Sequence, residues 1–526
     1  MEIAENIPVA TRKVASVNPA TGELLHEFSC ASLDEVRSAV SHARSAQPAW
    51  GEKPVAARLA VLMKFGQLLH KNKSAVARLI TQEAGKPWVE GLIAEVAAVL
   101  DAVRFCVEQG YPFLREQLIP HGNPAMKTKS GRIRREPYGV IGIISPWNYP
   151  FSTPATESIA ALAMGNAVVV KPSELTSLCA LRLADLLHQA GVPPDVFQVI
   201  PGDGATGAAL VNSGLDKLIF TGSVATGKRI AHAAAEQLLP TVLELGGKDP
   251  MIVLDDADID VASSGALWGA FMNTGQTCLS VERCYVHSKL YERFVAACVE
   301  KTGRLRVGNG MDPETDIGPM NNLRQLQIVE GQVQDARAQG ARVLCGGARL
   351  PDLGPNFYAP TVLLDVTHEM RIMREETFGP VLPIMAFDSE EEAIGLANDS
   401  EYGLAASVWT RDPKRGEKIA ARIQAGTVMI NDAVSCYSIS EAPHGGIKAS
   451  GIGRSHGRFG LEEMVRIKYI DTDRMPGMKK VWWFDYGATF TRQMEGFVDA
   501  LFAPGLGARL RGALKAKSAL RRKGRI

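Results

Sequence analysis

The sequence predicts an α/β protein organised on a parallel sheet buried on both faces, and three observations carry that expectation. Short apolar runs rich in β-branched residues recur at 139–144, 167–170, 196–200 and 217–220. Each is followed by turn residues and then by a helical pattern, which is the alternation of βαβ units. The composition, 46% hydrophobic and 22% charged over 526 residues, is that of a globular chain long enough for two or three domains.

The first residues, Met1 to Asn6, lack a basic start followed by an apolar core, so no secretory signal is expected there. No run of about eighteen apolar residues suggests a spanning helix. The eight cysteines (Cys30, Cys106, Cys179, Cys278, Cys284, Cys298, Cys345, Cys436) form no CxxC pair, which points away from a zinc site or a disulfide framework and toward a reducing, cytoplasmic compartment. Residues 31 to 118 read as a helical scaffold, with apolar positions at helical spacing from Leu59 to Leu69 and a break at Gly85-Lys86-Pro87. From Lys127 to Glu136 the pattern alternates, as in an exposed hairpin able to pair with another subunit.

In parallel sheets, ligands sit at the carboxyl ends of the strands, so those ends hold the informative residues. Gly202-Asp203-Gly204-Ala205-Thr206-Gly207 has the form of a dinucleotide fingerprint, but no acidic residue about twenty positions on closes a following strand. Gly222-Ser223-Val224-Ala225-Thr226-Gly227-Lys228 begins like a phosphate loop, yet Arg229 stands where the magnesium-holding hydroxyl belongs, which argues against nucleotide hydrolysis. What survives is Thr221-Gly222-Ser223, backbone amides and a hydroxyl placed at a helix start, suited to a pyrophosphate. Pro146-Trp147-Asn148-Tyr149-Pro150 holds an amide side chain on a loop stiffened by two prolines, either a rigid donor to an oxyanion or a structural turn. Lys171-Pro172-Ser173-Glu174 can grip ribose hydroxyls or cap a helix, and Glu376, two residues before Phe378, can hold a second ribose beside a flat ring.

Two further stretches suggest covalent chemistry. Cys278 lies in the polar run Asn273-Thr274-Gly275-Gln276-Thr277-Cys278-Leu279-Ser280, an unusual setting for a packing thiol. Glu244 ends an apolar run before Gly246-Gly247. A thiol to attack a carbonyl and a carboxylate to activate water form a plausible pair, although either residue alone is ambiguous.

Taken in order, Pro146-Trp147-Asn148, Lys171-Pro172-Ser173-Glu174, Phe220-Thr221-Gly222-Ser223, Glu244-Leu245-Gly246-Gly247, Gly275-Gln276-Thr277-Cys278 and Glu376-Thr377-Phe378-Gly379-Pro380 resemble the motifs of the NAD(P)-dependent aldehyde dehydrogenase superfamily, over about residues 12 to 472. The resemblance implies an aldehyde dehydrogenase-like α/β fold. A Rossmann-like cofactor domain is expected at 1–125 and 138–246, an α/β catalytic domain at 247–446, and a β-ribbon oligomerisation element at 126–137 and 463–473. It implies Cys278 as nucleophile, Glu244 as general base, and Asn148 with the Cys278 amide as oxyanion hole. Lys171, Glu174 and Glu376 would hold riboses, Ser223 with Gly222 the pyrophosphate, and Phe378 the nicotinamide side, with Trp147 a further cofactor-binding residue. NAD is expected in preference to NADP, because Glu174 would repel a 2′-phosphate. A homodimer or tetramer is implied, and no metal. The substrate positions implied, Tyr149, Thr153, Met272, Thr277, Leu279 and Cys436, include no arginine to pair a substrate carboxylate, so aliphatic or aromatic aldehydes are expected over anionic semialdehydes. A cysteine hydrolase, a coenzyme A-acylating dehydrogenase and a non-catalytic relative are the competing readings. The polar turn lacks a histidine base for the first, the second usually lacks the base kept here as Glu244, and the third would be expected to lose one of the pair.

The tail, 474–526, lies beyond this resemblance. Residues 505 to 526 carry eight Lys and Arg and no acid, leaving 50 basic against 57 acidic residues elsewhere. Met494, Phe497, Val498, Leu501 and Phe502 share a helical face, Pro504-Gly505 interrupts, and Leu506, Leu510 and Leu514 continue at four-residue spacing. Either this apolar face packs on protein and the basic end is solvated, or the segment is an amphipathic helix on an anionic membrane surface. Nucleic acid is not expected, since nothing else in the chain prolongs the basic patch.

Overall fold

The computed structural model describes residues 12–480, 482–484 and 486–517. It divides into two compact units, the larger built from the chain up to Arg115 and Arg135–Ile467, the smaller from Glu116–Arg134 and the chain from Lys468 onward. The strands in chain order are β1 Lys13–Val17, β2 Leu24–Ser29, β3 Gln117–Ile119, β4 Lys129–Pro137, β5 Val140–Ile144, β6 Ala167–Lys171, β7 Phe197–Val199, β8 Lys217–Thr221 and β9 Thr241–Glu244. They continue as β10 Asp249–Val253, β11 Val281–His287, β12 Arg342–Cys345, β13 Thr361–Leu364, β14 Val381–Phe387, β15 Ala405–Trp409, β16 Thr427–Ile430, β17 Gly451–Ile452 and β18 Val465–Asp473.

In the larger unit, β5 to β9 form a sheet in the order β17-β9-β8-β5-β6-β7, parallel except for the short β17, which returns antiparallel to β9. Residues of β5 and β6 are buried along their whole length, as expected where helices cover both faces. The strand order reverses between β5 and β8, and a crevice opens at their carboxyl ends because the chain leaves them toward opposite faces. A second sheet, β12-β13-β14-β11-β10-β15-β16, is parallel except for β12. The sequence-predicted helical scaffold is present as helices Leu33–Gly51, Val55–Ala84 and Ala98–Leu114. The break at Gly85-Lys86-Pro87 is a left-handed helix end, with Gly85 at φ +92°.

The smaller unit contains the sheet β18-β4-β3 and the helices Ala488–Phe502 and Leu506–Ala516. The alternation at 127–136 lies on β4, which pairs antiparallel with β3 on one edge and adjoins β18 on the other, a strand more than three hundred residues later in the chain. Alternation registers the two faces of a strand but not how many edges are paired.

Candidate active site

A cavity of about 420 Å³ opens in the larger unit. Cys278, Glu244 and Asn148 line it together with Trp147, Gly222, Ser223, Glu376 and Phe378. Lys171 and Glu174 do not line it. They lie at the end of β6, paired with each other at 3.4 Å, Lys171 buried and Glu174 half-exposed. Glu174 does not cap the next helix, Ser177–Ala190: the amides of Leu178 and Cys179 donate to Glu83 instead. Five of the six expected substrate positions line the cavity, but Cys436 does not. Its neighbours Val434, Ser435 and Tyr437 do, while the Cys436 thiol is buried and lies 3.9 Å from the Val434 carbonyl.

The turn that carries Cys278 combines strained backbone with close approach. Asn273 and Thr274 both take left-handed backbone, at φ +51° and +57°, which costs about 1–2 kcal/mol each. The Asn273 amide donates to the buried Glu90 carboxylate at 2.9 Å, compensating part of that cost. Gly275, at φ +70°, lies where a Cβ would collide with the Gly379 carbonyl, so only glycine lets the turn seat against the loop that bears Glu376 and Phe378.

Two buried ion pairs position the remaining loops, and neither is evident in the sequence. Lys86 and Glu95, both fully buried, pair at 2.7 Å. Lys86 also donates to the Asn148 carbonyl at 2.7 Å, and Glu95 accepts the amides of Phe151 and Ser152, so the Asn148 loop is gripped from both ends. Lys248 and Glu282 pair at 2.5 Å, and Glu282 accepts the amides of Thr377 and Phe378 at 2.9 and 2.8 Å. Single charged residues on a helix or strand carry no local pattern that announces a partner elsewhere in the chain; only the buried position after folding does so.

On the β8 side, Ser223 caps helix Val224–Ala235, accepting from the Thr226 amide. Trp147 and Phe378 meet edge to face at 5.5 Å between ring centres. The Glu376 carboxylate rests on Gly246-Gly247, accepting the Gly247 amide at 3.1 Å; burial and then Glu282 push it up to about 8. The Asn148 side-chain amide donates to the Gln276 carbonyl at 2.9 Å, which fixes its orientation beside the Cys278 turn.

The electrostatics of the pair are those of a site short of positive charge. Burial, followed by Asp249, Glu376 and Glu244, holds the Cys278 thiol well above its ordinary range. Glu244, 6% exposed, is raised well above the usual carboxylate range by burial and by Glu157. His444, which the sequence reading passed over, lies with Nε2 3.8 Å from a Glu244 oxygen. Burial lowers it to about 3, so it stays neutral there.

Residues 7–470 match the model of the aldehyde dehydrogenase family. The chain is 39% identical over 489 residues to 4,4'-diapolycopene aldehyde oxidase of Methylomonas sp, covering 93% of this chain and 91% of that protein. It is 40% identical over 457 residues to a putative succinate-semialdehyde dehydrogenase [NADP(+)] of Mycolicibacterium smegmatis, covering 86% and 88% respectively. Among solved structures, the NAD+ complex of an aldehyde dehydrogenase from Bacillus cereus superposes with a TM-score of 0.84 at 38% identity, covering 88% of this chain and 93% of that one.

Proposed function

The chain belongs to the aldehyde dehydrogenase family and is an NAD(P)-dependent aldehyde dehydrogenase; we propose that it oxidises an uncharged aliphatic or aromatic aldehyde to the acid, with NAD preferred over NADP. The observation that carries this reading is the convergence of Cys278, Glu244 and Asn148 on one cavity whose lining, among the described residues, contains no Lys or Arg. An anionic semialdehyde buried there would lack a cationic partner, a costly arrangement. The exposed Ile93 and Trp268 on the lining extend the apolar surface. The name of the Methylomonas relative is compatible with this substrate class, and that of the mycobacterial one is not.

The residues fit a nicotinamide dinucleotide. Ser223 and Gly222 present a helix start to the cavity, Glu376 offers a carboxylate for hydroxyls, and the Trp147–Phe378 pair offers a flat apolar wall. When bound, that cofactor supplies the hydride acceptor and a positive charge that offsets the burial of anions in the cavity. Lys171 and Glu174 extend the contact at the β6 end, where Glu174 would accept ribose hydroxyls and repel a 2′-phosphate.

Cys278 attacks as its thiolate, the sulfur adding to the aldehyde carbon as the carbonyl electron pair moves to oxygen, and Asn148 with the Cys278 amide holds the resulting oxyanion. Loss of hydride from that carbon leaves a thioester on Cys278. Glu244 takes a proton from water, the hydroxide displaces the thiol, and the acid leaves. The β5–β9 sheet thus presents Asn148, Ser223 and Glu244, and the β10–β16 sheet presents Cys278, Glu376 and Phe378. Assembly as a dimer or tetramer would use β4 and β18. The exposed Ile467 and Tyr469 on β18, with Leu118 on β3 beside β4, support it, and sedimentation equilibrium tests it. The eight unpaired cysteines support a cytoplasmic location, which cell fractionation checks.

A panel of aldehydes at fixed NAD tests the substrate reading, and a carboxylate-bearing semialdehyde with the highest kcat/KM would sink it. The cofactor reading fails if kcat/KM is higher with NADP than with NAD.

A further inference from the structure

The two C-terminal helices of the smaller unit pair in an inverted sense. A Cβ added at Gly496 would collide with Lys515, and one at Gly512 with the Ala500 backbone, so Ala488–Phe502 and Leu506–Ala516 approach backbone to backbone through small residues. Their large apolar side chains are left facing outward. Val498, Phe502, Leu506, Leu510 and Leu514 are exposed by 54% (Val498) to 78% (Leu506), and Trp483, Phe484 and Tyr486, just before the first helix, are exposed as well.

Charge is arranged around this face. At about 100° per residue, Leu506, Leu510 and Leu514 span an arc of about 80°, with Arg509 and Arg511 about 60° to either side. From Gly505 onward the sequence holds eight basic residues and no acid. Four of them, Arg509, Arg511, Lys515 and Lys517, lie among the described residues, whereas Arg521, Arg522, Lys523 and Arg525 lie outside them. Among the described residues no helix is long and apolar enough to cross a membrane.

We propose that this outward face seats on an anionic lipid bilayer, the two helices lying in the plane of its surface. An apolar ridge bordered by arginines buries the ridge among acyl chains while the guanidinium groups stay at the headgroups. The charge selects the occupant: a second copy would bring the same basic border against itself, whereas anionic headgroups attract each Lys or Arg by roughly fivefold in affinity. The preceding aromatics suit the same boundary, having an apolar ring and, in Trp and Tyr, a polar edge.

Flotation of the full chain with vesicles of phosphatidylcholine containing phosphatidylglycerol, against phosphatidylcholine alone, tests this. Expected are binding to the anionic vesicles at low salt and release as salt rises from about 0.1 M to about 1 M, where the Debye length falls from about 10 to about 3 Å. The double variant Arg509→Glu/Arg511→Glu should bind at least about tenfold more weakly. The triple variant Leu506→Asp/Leu510→Asp/Leu514→Asp should lose binding altogether. Both should retain wild-type kcat on a water-soluble aldehyde, a control that also separates this proposal from the substrate reading. Failure of the full chain to float, equal binding to neutral vesicles, undiminished binding by the triple variant, or loss of a self-association through this face in that variant would each overturn it.

Discussion

Behind the loops that line the Cys278 cavity Lys86, Glu95, Lys248 and Glu282 lie buried, while on the C-terminal helices Phe502, Leu506, Leu510 and Leu514 lie exposed. Both regions invert the usual distribution, and each inversion has a different physical consequence. The buried charges are paired and hydrogen-bonded, so their cost is offset, and they fix loops that no local propensity would hold. The exposed leucines have no such compensation within the described residues, so their stabilisation must come from whatever covers them. A departure from the burial rule that is satisfied internally indicates positioning, and one left unsatisfied indicates a surface for binding.

The sharpest way to test the inward side is at the nucleophile. Cys278→Ala should reduce NADH formation by about four orders of magnitude or more, whereas Glu244→Gln should spare a first turnover and slow the steady state. Stopped-flow NADH absorbance separates the two, and near-normal activity of Cys278→Ala would end the proposed mechanism.

Breaking one buried pair should cost less but act on fold and function together. Lys86→Met leaves Glu95 buried without its cation and removes one of the two donors to the Asn148 carbonyl, the other being the Asn273 side-chain amide, so we expect a loss of about 3–5 kcal/mol in denaturant unfolding, with a fall in kcat. The double variant Lys86→Met/Glu95→Gln should recover part of the stability. A single-variant loss below about 1 kcal/mol would mean that the pair does not position the loop.

A third test uses pH. Because burial and Glu157 raise Glu244, it holds its proton below its raised pKa and cannot act as a base there. Steady-state kcat should therefore rise with pH through a range well above ordinary carboxylate titration, and Glu244→Gln should flatten that rise. A wild-type profile already level from about pH 5 upward would contradict the burial argument.

The smallest effect on catalysis is expected on the outward side. Gly512→Val places a branched side chain against the Ala500 backbone and should part the two C-terminal helices, a local cost of about 1–3 kcal/mol. Turnover of a soluble aldehyde should be unchanged, and hydrogen exchange should quicken within 488–516 alone. A matching loss of kcat would show that the two regions are not independent.

Much of this was legible in the sequence because the signals are local. Alternating β-branched runs and helices announced the parallel sheet of β5 to β8, since the side-chain period follows from the backbone itself. The motifs around Asn148, Glu244, Cys278 and Phe378 were readable because a strand end, a turn and a glycine must each occur within a few residues of the group they present. The helical faces of the tail were likewise visible as spacing. Tertiary structure alone decided the rest. It paired Lys86 with Glu95 and Lys248 with Glu282, brought His444 beside Glu244, withdrew Cys436 from the cavity, set β3 on the second edge of β4, and turned the leucines of the tail away from their partner helix. Each of these depends on which distant surfaces meet and how closely, and a one-dimensional pattern records what a residue prefers locally but not what folding sets against it.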